Sequence, residues 1–418
     1  MKIIEMDITH APSQLKFPPD LNTQAFAENK YAYYRWMREN APVFKGKISV
    51  LKAYVLSRYE DCAWMLKDPR FVRDRTTATG GSRLPFPVPK SVALMSKSMI
   101  TEDELDHRRL RNLVQQAFTK GQLAKLENRI ETLTNDLLDQ AEAQSRVESV
   151  VDLKAAYALP IPVRVIQEMV GVADEDMPRF QGGLSAMKDG FSGWAIARTL
   201  FWDLPRLEGF VRSLIARKRL HPGDDILTGL IQAEDEGHQL TEDELVSMVF
   251  LLIVAGYETT VQLMTNGVIA LLQHPDQLAR LRAQPDLIDG AVEEILRFNG
   301  PIHTTKPEYA LEDITLHGVT IPKGAAVFPF LGAANHDPAV FEQPDVFDIS
   351  RSPNKHLGFG GGIHACLGAP LARMETKIAL TNLLKRSPNL CLAVEPTALE
   401  ILVRPGWHSY KRLPVALR

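Results

Sequence analysis

HLGFGGGIHACLGAPLAR, residues 356–373, is the stretch on which the reading of this 418-residue chain turns. Gly358, Gly360, Gly361, Gly362 and Gly368 crowd around Cys366, next to a helical pattern running from Leu367 to Arg386. Glycines let a backbone turn through positive φ and come close to a flat ligand. A loop feeding a helix N-terminus aims amide N–H groups at the sulfur and favours the thiolate, the form that binds metals. The rival is a glycine-rich turn around a buried structural cysteine. The full spacing Phe359-Gly360-x-Gly-x-His364-x-Cys366-x-Gly368 favours the ligand.

The rest of the chain is compatible with one large cofactor-binding unit. Hydrophobic residues make up 45% and charged residues 24%, as in ordinary globular proteins. A net charge of -3 argues against general affinity for nucleic acid or anionic membrane. The three cysteines, Cys62, Cys366 and Cys391, are too scattered for a disulfide framework and fit a reducing compartment. The first twenty residues lack the apolar core of a signal peptide, and no membrane anchor is expected. The most apolar run, Leu245 to Gly256, falls short of the roughly 20 residues needed to span a bilayer. It reads instead as a helix at the centre of the core. The expected address is cytoplasmic.

Periodicity predicts helices over Tyr31–Asn40, Tyr59–Leu66, Asp286–Asn299 and one very long helix over Thr241–Gln273. Between Leu105 and Leu220 the pattern is helical, with breaks near Gly121, Pro160 and Gly182. Ile48 to Ser57 reads as extended, and Arg73 to Lys90 as a long irregular loop rich in Gly, Pro and Thr. Short strands are expected over 302 to 330 and at the C-terminus. The fold class is mainly α with a minor β region, a single domain over 1–418 with a long central helix and an N-terminal extension over 1–25.

Three further motifs stand out. Ala255-Gly256-Tyr257-Glu258-Thr259-Thr260 places an acid and hydroxyls in mid-helix, where burial is costly unless they are satisfied or useful. A helical threonine can also back-bond to a carbonyl one turn earlier. Glu294 and Arg297 share a helix face, as do His107 and Arg111. Each of these, taken alone, also fits a plain solvated or packed helix.

Together with the cysteine loop, these motifs resemble the cytochrome P450 family in its soluble bacterial branch, over about residues 30 to 416. The resemblance implies haem b with Cys366 as the axial iron ligand and loop residues 356–368 around it, Phe359 and Gly360 included. His364, His107 and Arg111 would hold haem propionates, for which charge-assisted bonds suit them. A further propionate arginine is usual after the Glu-x-x-Arg helix. Counting forward from Arg297 puts Lys306 there, and counting back from Asp313 puts Glu308 there. Glu294-x-x-Arg297 would be structural; the usual third arginine is replaced by Val346, with Arg351 the candidate to compensate.

By the same resemblance the chain is a monooxygenase. It would insert one atom of O2 into a lipophilic small molecule, by hydroxylation or epoxidation, and reduce the other atom to water. Thr259 would hydrogen-bond the dioxygen and Glu258 would relay protons. The pocket would be lined by Leu252, Ala255, Gly256, Ile302, Thr304 and Trp407, with the loop around Leu84 to Ile100 and helices near Phe180 to Phe201. Ala255 and Gly256 would be small to leave room for oxygen and substrate. Electrons would come from a ferredoxin and its reductase docking on Arg108, Arg109, Lys120 and Arg373, and the protein would be a monomer. A non-catalytic haem-thiolate sensor is the alternative, disfavoured because a sensor needs no proton relay.

Overall fold

The computed structural model describes residues 19–48, 51–83, 89–95, 97–115, 118, 120–180, 198–235 and 240–417. Its principal helices are α1 (Lys30–Asn40), α2 (Tyr59–Met65), α3 (Glu104–Gln115), α4 (Lys120–Val147), α5 (Pro160–Val170), α6 (Leu204–Leu220), α7 (Glu242–Gln273), α8 (Ile288–Asn299) and α9 (Ala369–Arg386). The strands are β1 (Val43–Ile48), β2 (Leu51–Leu56), β3 (Phe71–Val72), β4 (Val151–Asp152), β5 (Glu308–Ala310), β6 (Ile314–Leu316), β7 (Val319–Ile321), β8 (Ala326–Pro329), β9 (Cys391–Leu392) and β10 (Pro414–Ala416). One sheet runs β1-β2-β8-β5-β3, a second β4-β10-β9, and β6 pairs with β7.

α7 starts where its sequence says. Glu244 donates its backbone N–H to Thr241 Oγ1 at 3.2 Å, and Thr241 returns its own to Glu244 Oε2 at 2.8 Å. This capping box leaves few orphan donors at the first turn, and Glu242, Asp243 and Glu244 complement the helix dipole. α5, α6, α8 and α9 pack against the helix. It is the one helix among the described residues long and apolar enough to cross a membrane, yet half of its most apolar window is buried in protein.

Of the segment Ile48–Ser57 read as extended, Leu51–Leu56 is strand β2, and its antiparallel partner β1, Val43–Ile48, ends where that segment begins, with Val43 opposite Leu56. The break expected near Gly121 falls between the end of α3 at Gln115 and the start of α4 at Lys120, with Gly121 in the first turn of α4. Within the expected loop 73–90, Arg75–Thr79 forms a short helix, because Asp74 caps it and Gly80 ends it at φ 65. The break near Gly182 lies outside the described residues.

Behind the cysteine loop, α8 carries a fully buried ion pair. Arg297 donates to both oxygens of Glu294 at 2.7 and 2.8 Å, and both side chains are 0% exposed. Its remaining N–H groups reach the carbonyls of Asn335, Pro344 and Val346. Arg351 Nε donates to Glu294 at 3.2 Å, so Arg351 does supply the cation that Val346 does not. Asn354 and the Asp348 N–H also donate to this carboxylate. Buried charges so fully partnered hold the 335–357 segment in one arrangement. That segment leads straight into the loop: Leu357 N–H donates to Asn335 Oδ1 at 2.7 Å.

Candidate active site

The cysteine loop is a built cradle. Cys366 N–H donates to the Phe359 carbonyl at 2.9 Å, closing the loop on itself. Gly362 has φ +63, and a Cβ there would meet the Leu66 carbonyl oxygen at 1.9 Å, so no other residue fits. Arg111, from α3, donates to the carbonyls of Ala365 and Ile363 at 2.9 and 3.2 Å. It therefore holds the loop itself, a role beyond the propionate contact expected of it. Arg373 lies over the Phe359 ring at 4.6 Å.

Burial pushes the Cys366 thiol up, while the N–H groups of Gly368 and Ala369 and the charges of Arg111 and Arg373 pull it down. The sulfur thus sits at the start of α9 with donors already aimed at it, as the loop-to-helix pattern predicts.

Opposite chemistry comes from the middle of α7. Leu245 to Val249 and Thr260 to Leu271 are buried, but the helix opens between them, and Ala255 there is exposed. An accessible patch at the centre of the most enclosed helix marks an internal cavity. Leu252, Ala255 and Thr259 share this face by helical spacing. Thr259 Oγ1 donates to the Ala255 carbonyl at 2.8 Å, the back-bond anticipated for it. A Cβ on Gly256 would lie 2.6 Å from Ile166 Cδ1, so α5 packs closely on the helix at this point. Tyr257 is buried and faces away.

Glu258 is not a lone acid. Arg404 Nη1 and Gln262 Nε2 each donate to its Oε1 at 3.2 Å. Gln262 was findable as the i+4 neighbour of Glu258. Arg404 carries no such signal, coming from the C-terminal loop beside Trp407. That loop is tied to the 302–304 segment: Trp407 bridges Ile302 in antiparallel fashion, and the Gly406 carbonyl accepts N–H groups from His303 and Thr304. Thr304 Oγ1 is spent on the Pro329 carbonyl at 2.8 Å. Of the remaining pocket expectations, 84–88 and 181–197 lie outside the described residues.

His107 and His364 meet edge to face with ring centroids 4.5 Å apart. Burial, with His364 and Arg111 adding, pulls His107 down to about 4. Both nitrogens of His364 are buried and take no hydrogen-bond partner among the described residues; Asp103 is 3.8 Å away. The ring carries at least one N–H, and a buried N–H without a partner calls for an outside acceptor. Lys306 has accessible surface, yet protein closes around it, and burial together with Arg73 lowers its pKa. A glycine cradle, a thiol with aligned donors, an internal cavity and unpartnered imidazole nitrogens fit a flat, anion-bearing prosthetic group such as haem.

Two of the cations expected to meet a redox partner already have ion-pair partners. Arg109 is paired with Glu244 and Asp106, and Arg373 with Glu293 at 2.6 Å. Arg108 is exposed, and the Lys120 side chain lies outside the described set.

Comparison with known proteins agrees with this geometry. The cytochrome P450 family profile matches residues 212–387. The polyketide biosynthesis cytochrome P450 PksS of Bacillus subtilis is 38% identical over 410 residues, covering 97% of this chain and 99% of that one. Its solved structure superposes with a TM-score of 0.88 at 37% identity, covering 96% and 99% of the two chains. The cytochrome P450 monooxygenase PikC of Streptomyces venezuelae is 37% identical over 400 residues, covering 94% and 92%. A structure of P450BioI with an acyl carrier protein bearing hexadec-9Z-enoic acid gives a TM-score of 0.85 at 36% identity, covering 94% and 100%.

Proposed function

This chain belongs to the cytochrome P450 family, and from that premise we propose that it oxygenates a polyketide or fatty-acyl substrate at the cavity beside Ala255 and Thr259. It is a haem-thiolate monooxygenase that takes electrons from a redox partner and acts on lipophilic molecules. The observation carrying the placement of the site is the opening of α7 at Ala255 and Thr259, in a helix otherwise buried. Leu252, Ile302 and Trp407 give that cavity apolar walls, which suits a long hydrocarbon or macrocycle. The nature of PksS, named for polyketide biosynthesis, and of P450BioI, solved with an acyl chain on its carrier, supports the substrate class.

When bound, the haem supplies the oxygen chemistry. In this reading Cys366 would be its thiolate ligand, and His107, Arg111, His364 and Lys306 would hold its propionates, with Phe359 and Gly360 beside the sulfur. Thr259 moves a proton through its hydroxyl once it leaves the Ala255 carbonyl. Glu258, oriented by Arg404 and Gln262, relays protons to it. A ferredoxin and its reductase are the proposed electron donors, approaching the Arg108 side, and the protein works as a cytoplasmic monomer.

Two measurements test the core of this. Carbon monoxide added to the reduced protein should give the red-shifted Soret band of a thiolate ligand, and Cys366→Ala should abolish it. Thr259→Ala should leave that band intact while raising the hydrogen peroxide formed per electron pair severalfold. Unchanged coupling would remove Thr259 from proton delivery. Titration with acyl and macrolactone compounds, read by the ferric spin-state shift, tests the substrate class. No shift with either would refute it.

A further inference from the structure

The cavity edge around His364 carries more positive than negative groups. Arg111, Lys306 and Arg73 can each hold a charge there, beside the imidazoles of His107 and His364. Among the described residues, Asp103 and Glu308 oppose them. Asp103 is already engaged, accepting the backbone N–H groups of Arg73 and Asp74 at 2.8 Å each. Glu308 has one partner, Arg73, whose Nε donates to it at 2.9 Å. Both members of that pair are buried, with side chains 4% and 6% exposed. The other guanidinium nitrogens of Arg73 take no hydrogen-bond partner among the described residues.

The strand register explains how the pair arises. Phe71 faces Ala310 and Val72 faces Tyr309 across β3 and β5. One step further along, Arg73 stands across from Glu308, a cross-strand charge pair. Glu308 is also one of the two positions at which the resemblance to the family places a propionate arginine. An acid there would repel a carboxylate, and Lys306 alone would have to balance it. A swap across the two strands resolves this: the acid sits on β5, and the arginine comes from the end of β3. Arg73 also acts electrostatically on Lys306, His107 and His364, so its charge lies within reach of all three.

We propose that Arg73, anchored by Glu308, binds a haem propionate, supplying from β3 the guanidinium that β5 lacks. Nε is held by Glu308, and the rest of the planar fork is left to meet a carboxylate, the geometry arginine favours. Glu308 is then a positioning residue that fixes the side chain. The inference rests on the haem-thiolate reading above.

The test compares haem release to excess apomyoglobin from Glu308→Gln and from the double variant Arg73→Gln/Glu308→Gln. Using a neutral residue 308 in both avoids stranding a buried carboxylate, which would destabilise the fold on its own. Loss of Arg73 should speed release about tenfold, the scale of one charge-assisted hydrogen bond. Glu308→Gln alone, which keeps the Arg73 charge but loosens its anchor, should release haem more slowly than the double variant. Apoprotein reconstituted with haem dimethyl ester, which has no propionate charge, should lose the difference between the two variants. Equal release from the two variants with ordinary haem would overturn the proposal. So would a difference that persists with the ester, because that would mark Arg73 as purely structural. Should the double variant not fold, Arg73→Lys takes its place: slower release than in Arg73→Gln supports the contact, and equal release refutes it. A parent protein with no thiolate Soret band would instead sink the underlying reading, and that outcome is separate from all of these.

Discussion

At Gly362 the chain has no freedom of substitution, since φ is +63 and the Leu66 carbonyl occupies the space of a Cβ. Gly362→Ala should cost about 1–3 kcal/mol in the loop and sharply lower the fraction of protein showing the thiolate Soret band. A variant with full haem content would refute the steric argument. Arg404 acts through another residue. Arg404→Gln should leave haem content unchanged and enlarge the solvent deuterium isotope effect on turnover, and Arg404→Lys should restore it in part. An unchanged isotope effect would leave Arg404 with only a packing role. As candidates, Cys366, Thr259 and Glu258 could be read from the sequence because each sits inside a short motif whose spacing constrains its chemistry. Arg404 and Arg73 were not, because their partners Glu258 and Glu308 lie 146 and 235 residues away.

Between elements, the contact of α7 with α9 carries a second buried acid. Glu375 of α9 lies near Thr260 of α7, and burial pushes its carboxyl up to about 8. An unfolded chain titrates such a group near 4.3. Between those values the unfolded state sheds a proton that the native state keeps, so stability falls as pH rises from about 5 to 8. Glu375→Gln has no proton to shed, and its urea midpoint should gain on that of the parent across this window. A constant offset would disprove the shift. The Glu294 cluster makes the complementary case, in which charge is fully matched. Arg351→Ala removes one of its donors and should cost about 1–3 kcal/mol in urea denaturation. The long helices were readable from periodicity and caps, α7 almost to the residue. Strand β1 was not, because VFKGKI carries two lysines and a glycine and gives no apolar run to mark it.

For the molecule as a whole, the mainly helical architecture followed from composition and period, but the strand order did not. No local signal in Leu51–Leu56 says that it pairs in parallel with Ala326–Pro329. That pairing is a long-range contact, and its edge partners β5 and β3 close the same sheet. It also sets a schedule for biogenesis. A ribosome adding roughly 5–20 residues per second needs on the order of 15–50 s between finishing β2 and finishing β8. Throughout that interval the inner edge of the β1–β2 hairpin has no β8 to pair with, open to strand-grabbing neighbours on the same polysome. Nascent chains arrested before residue 326 should therefore be cut readily by protease within 43–56, and chains extended well past 329 should be protected there.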